Sequence, residues 1–218
     1  MRTRSKILLA TLSATSILAT AAGIASGRNF SISEQGFVAI WRPLEVTGLG
    51  GLIRVRCNVT LKGSFHYRTL AKTRSLIGYV TEAALTRPCT FSEAWILNGR
   101  EVLEGAPTPN TLPWHMAYNA FTGILPGIAG VRLAFIGIGI LIRGIFGRCL
   151  WAATAASPMF TTTNLNTATG AASSMSFGSE APIPLREGEG CPASATFSGT
   201  TSSLTPGSGE GTITLRLI

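Results

Sequence analysis

From Ile53 to Phe65 the side chains alternate in character with a period of two. Ile53, Val55, Cys57, Val59, Leu61 and Phe65 fall on one parity, and Arg54, Arg56, Asn58, Thr60, Lys62 and Ser64 on the other. Successive side chains of an extended chain point to opposite faces, so this pattern specifies a strand with one face buried and one wetted. On a helix the same apolar residues would be scattered around the circumference. Half-buried strands of this kind belong to antiparallel sheets. The alternation also puts Cys57 on the core side. Gly48-Leu49-Gly50-Gly51 supplies a turn before the strand, and residues 37–46 form a second strand candidate interrupted by Pro43.

Further strand signals follow along the chain. Residues 76–85 are apolar and β-compatible, with a stop expected at Pro88-Cys89. Asn98-Gly99 lies between two short apolar runs, a hairpin cue because both residues tolerate positive φ. Residues 105–113 hold three prolines and read as a loop. Residues 114–125 and 212–217 read as strands, the latter paired in a sheet. Residues 131–142 are strongly hydrophobic, but Arg132 and Arg143 bracket only about half of a membrane-spanning helix. Gly137 and Gly139 interleaved with Ile136, Ile138, Ile140 and Ile142 suit a buried strand and disfavour a helix. Residues 152–180, rich in Ser, Thr and Ala, read as a long loop or a weakly formed hairpin. Residues 188–211 are similar, with a short strand at 193–200. No segment carries the spacing and capping of a helix. The expected body is therefore all-β, an antiparallel β-sandwich or a closed barrel.

The first residues constrain the compartment. Arg2, Arg4 and Lys6 precede an apolar run from Ile7 to about Ala22, and small residues cluster through Ala25 and Gly27. This is the layout of a helical secretory signal peptide, residues 1–25, cleaved after Ala25 or alternatively after Ala21. The run is shorter than the roughly twenty residues of a membrane span. The expectation is thus a single domain over residues 26–218, secreted or held in the cell envelope, with no transmembrane anchor after cleavage. Removing Arg2, Arg4 and Lys6 from the 18 Lys and Arg leaves 15 against 10 acids, a net +5. Cys57, Cys89, Cys149 and Cys191 are an even set in an exported chain, which suggests two disulfides. Sequential pairing, Cys57–Cys89 and Cys149–Cys191, is the simplest arrangement. Without a C-x-x-C pair and with two histidines, neither a metal site nor a cofactor is expected.

All ten acids are glutamate, and arginine outnumbers lysine. With abundant Ala, Gly and Thr, the composition is similar to that of exported β-rich proteins of high-GC bacteria, a likeness that carries no activity with it. The missing aspartate excludes a Ser–His–Asp triad and an Asp-rich calcium loop. No G-x-S-x-G, H-E-x-x-H or phosphate-cradling Gly-Lys motif occurs. A hydrolase would have to rest on His115 with Glu101 or Glu104. The cations carry a different signal. Arg54, Arg56, Lys62 and Arg68, with Lys72 and Arg74 beyond them, fall in a stretch without acids. A row of cations on a wetted sheet face suits an anionic cell-wall polymer or acidic glycan; no nucleic acid is expected as a partner. Trp41, Trp95, Trp114 and Trp151 lie in apolar settings that favour the core over sugar stacking. The expected function is a non-catalytic, envelope-associated structural or binding module, with a His115-based secreted hydrolase as the alternative.

Overall fold

The computed structural model describes residues 29–48, 53–91, 106–107, 112–125, 127–144, 147–178 and 182–218. The signal-peptide segment and the Asn98-Gly99 hairpin cue lie outside them. Every regular element among the described residues is a strand. The first five are β1 (Asn29–Ile32), β2 (Gly36–Gly48), β3 (Ile53–Phe65), β4 (Thr69–Ala71) and β5 (Leu76–Phe91). Next come β6 (Ala106–Pro107), β7 (Trp114–Ile124), β8 (Gly127–Ile136), β9 (Gly139–Gly144) and β10 (Gly147–Ala152). The last are β11 (Met159–Leu165), β12 (Ala172–Phe177), β13 (Ile183–Glu187), β14 (Ser194–Pro206) and β15 (Leu215–Leu217).

Pairing runs β2-β3-β5-β7-β8-β11-β12-β14, and β14 pairs back onto β2. Every pairing in this circuit is antiparallel and joins strands in chain order. The sheet therefore closes on itself as an eight-stranded up-and-down barrel, which leaves no free edge around the ring. At the seam the closure is short. Ser176 faces Thr200 and Phe177 faces Gly199, and the Thr201 hydroxyl accepts from the Met175 N–H at 2.9 Å.

Four strands, β2, β3, β5 and β14, run on beyond this ring. There β14 pairs with β13, β13 with β10, β10 with β9 and β9 with β6, while β6 lies beside β5. In chain order, β8 with β9, β10 with β11, and β12 with β13 are thus interrupted staves of one tall wall. Cys149 on β10 is bridged to Cys191, just before β14, which fastens this extension. Trp151 supports the same corner, donating its indole N–H to the Pro192 carbonyl at 3.0 Å.

Inward positions are apolar. Phe37, Ala39 and Trp41 of β2, Val59, Leu61 and Phe65 of β3, and Val131, Leu133 and Phe135 of β8 are all buried. Trp41 stacks on Phe177 with ring centres 4.9 Å apart, and Phe135 meets the same ring edge-on at 6.1 Å. Eight strands enclose a space that side chains can just fill, and here they do. A separate sheet, β15-β1-β4, closes one end of the barrel. Phe30, Ile32, Leu70 and Leu215 of this cap are buried. Between cap and barrel lies a cavity of about 10 Å³, lined by Phe37, Phe65, Leu133, Met175, Ile213 and Leu215 among others, room for one water at most.

Several sequence expectations change. Residues 152–180, read as a loop or weak hairpin, supply β11 and β12, two full staves of the ring. The alternation is present there, but Thr161 and Thr163 occupy two of the four inward positions of β11, so hydrophobicity did not mark it. The short strand read at 193–200 extends to Pro206. β5 does not stop at Pro88-Cys89. Arg56 faces Thr90 while Asn58 faces Thr86, so an irregularity at residues 87–89 takes up the proline and the strand resumes. Residues 131–142 are a buried stave, as expected, broken into β8 and β9 at Gly137, whose φ of 88° few other residues adopt.

Candidate functional site

With the interior filled, the described chemistry lies on the outer wall. β3 presents Arg54, Arg56 and Lys62 outward, as its alternation required. Glu45 stands directly opposite Arg56 on β2, and Glu82 opposite Lys62 on β5. Arg56 Nε lies 2.8 Å from Glu45 Oε2, and Lys62 Nζ 2.9 Å from Glu82 Oε1. Pairs this exposed contribute about 0–1 kcal/mol each to stability. Their larger effect is on the field: two of the three cations on the stripe are locally neutralised. Arg54 and Arg68 are exposed and make no ion pair among the described residues. They do not adjoin, since Arg54 lies at the extended end of β3 and Arg68 in the turn before β4, at the capped end. The four binding candidates are thus strung along the wall rather than gathered. Outward cations on β3 are also the reverse of the apolar outer band that a membrane-spanning barrel presents.

The two histidines of the chain come together around Tyr79, a residue that no local motif singles out. His115, exposed on β7, is paired in register with Tyr79 on β5. The His66 ring, just past the end of β3, sits 5.3 Å from the Tyr79 ring. Antiparallel adjacency of β3, β5 and β7 makes this row. Finding it beforehand would have required the hairpin registers, because 66, 79 and 115 share no local motif. Glu101 and Glu104, the carboxylates His115 would need for hydrolysis, lie outside the described residues. His115 makes no ion pair among those described, and no three metal-ligating side chains converge among them.

Trp41, Trp114 and Trp151 are buried, which removes them as sugar platforms; Trp95 lies outside the described residues. Tyr67 is the exposed aromatic ring instead, 73% accessible in the turn after β3, with His66 beside it at 6.4 Å between ring centres. Tyr118, packed on Phe30 with ring centres 5.5 Å apart, has its phenol pKa pushed up by burial. Cys57 is disulfide-bonded; the side chain of Cys89, its expected partner, lies outside the described residues. The expected Cys149–Cys191 bridge is present. Set against known families, curated proteins and solved structures, the chain matches none.

Proposed function

We propose that this chain is an exported, non-catalytic barrel domain of the cell envelope whose outer wall binds an anionic polymer, a cell-wall phosphate polymer or an acidic glycan. One observation carries the reading: the barrel interior is filled, with Trp41, Phe135 and Phe177 packed across it, so a ligand of any size must be met on the outside. There the stretch from Val46 to Thr81 holds no acid, while Arg54, Arg56, Lys62, Arg68, Lys72 and Arg74 all lie within it. The disulfide at Cys149–Cys191 is compatible with an extracellular setting.

The test is retention of the purified mature chain on anionic cell-wall polymer at low and at moderate salt. Retention should weaken as salt rises, because exposed charges are screened beyond roughly 8–10 Å. Arg54→Glu combined with Arg68→Glu should lower it further. Absence of retention, or retention indifferent to salt, removes the proposal.

A further inference from the structure

The capped end of the barrel carries a second surface, whose apolar side chains the polymer reading does not use. Four large apolar side chains are exposed among the described residues: Tyr67, Leu76, Ile124 and Ile218. All four lie at this end. Tyr67 follows β3, and His66 donates its backbone N–H to the Ile77 carbonyl, which carries the β3–β5 ladder on towards Tyr67 and Leu76. Ile124, 88% accessible, stands at the tip of the β7–β8 hairpin. Ile218 follows β15 in the cap.

Cations frame the tip on both sides. On one flank Lys72 Nζ rests 5.5 Å above the Phe121 ring, and exposed Arg74 follows in the same turn. On the other, Gly127 lies against Thr167, and the turn containing Thr167 is held by Arg216, whose Nε donates to the Thr169 carbonyl at 3.1 Å. Acids are missing from the segments that build this face, since none occurs between Glu45 and Glu82 or between Glu104 and Glu180. Glu34 and Glu210, the acids in the loops of this end, adjoin β2 and β14, across the ring from β7 and β8.

We infer that the capped end docks on an anionic phospholipid surface, with Ile124 entering the acyl boundary and Lys72, Arg74 and Arg216 meeting the headgroups. An aliphatic side chain projecting alone from a hairpin tip gains little from a hydrated polymer. It gains from transfer into a bilayer interface, and basic residues around it gain from anionic lipid. Tyr67 belongs at headgroup depth, where amphipathic rings settle. The contact is peripheral, through one end of the barrel; Lys72 and Arg74 belong also to the cationic stretch of the polymer reading, and Ile124 is what sets the two apart.

Sedimentation of the mature chain with vesicles tests it. Vesicles containing phosphatidylglycerol should carry the protein down, less so at higher salt, and pure phosphatidylcholine vesicles should carry little. Ile124→Glu should lower the bound fraction at least tenfold, and Lys72→Glu with Arg74→Glu should do the same; Ile124 and Arg74 are exposed and Lys72 half-buried, and circular dichroism should show the folded barrel in each. Ile124→Glu should leave retention on cell-wall polymer unchanged. No sedimentation with phosphatidylglycerol vesicles overturns the inference while leaving polymer retention to be judged separately. Sedimentation that survives Ile124→Glu also overturns it, because charge alone would then account for the contact.

Discussion

Trp41 sits at the waist of the barrel, fully buried, with its indole N–H unpartnered. Its contribution is ring area and the stack on Phe177, set against the cost of a buried donor that bonds to nothing. These two terms respond differently to substitution. Trp41→Ala deletes the ring and leaves a void, and should destabilise by about 3–5 kcal/mol. Trp41→Phe keeps most of the ring and removes the orphan donor, so its cost should stay below about 1.5 kcal/mol. Urea denaturation of both variants measures the difference; a loss for Trp41→Phe well above this would mean that the N–H is satisfied in solution. The hydroxyl of Thr161 is buried and unpartnered in the same way. Such residues explain why parts of the fold were hidden in the sequence: a threonine facing inward carries strand geometry without hydrophobic contrast.

Among the elements, β3, β7 and β15 were legible because their inward residues are large and apolar and their outward residues polar. β11 and the far half of β14 were not, since Thr161, Thr163 and Thr201 take inward places. The far end of β5 was hidden by Pro88, whose disruption an irregularity in the ladder absorbs. The cap shows how tightly one short element can depend on a turn. Gly170 has φ of 71°, and a Cβ there would lie 2.5 Å from the Leu215 carbonyl oxygen, which itself belongs to β15. Gly209 has φ of 86° with nothing within 4 Å of the same position. Gly209→Ala should therefore cost only the backbone strain, about 1 kcal/mol, whereas Gly170→Ala should cost about 2–3 kcal/mol more as β15 is pushed off the barrel. Chemical denaturation of the pair measures the difference, and equal midpoints would show that the cap adjusts freely.

For the molecule as a whole, antiparallel all-β architecture followed from alternation, but ring closure did not. It depends on β14 meeting both β2 and β12, contacts far apart in sequence that no local pattern encodes. The candidate site was legible in the same partial way. Outward cations on β3 could be read directly, but their partners Glu45 and Glu82 became visible only with the registers. The wall extension rests on Cys149–Cys191, which closes a loop with a sequence separation of 42. Replacing both cysteines with serine should cost about 4 kcal/mol in the chain-entropy account, read as a lowered denaturation midpoint under oxidising conditions. Reduction of the parent chain should reproduce that shift and exceed it, because Cys57 is also disulfide-bonded.

The placement of β1 has a temporal side. It lies between β4 and β15, with Phe30 facing Leu70 on one side and Leu217 on the other. The earliest described segment thus acquires its second neighbour only when the final one arrives. Contacts of such long sequence separation form slowly, so Phe30 and Ile32 wait for their second neighbour until late in folding. The lid is thus the part of the molecule whose closure comes after the staves it covers.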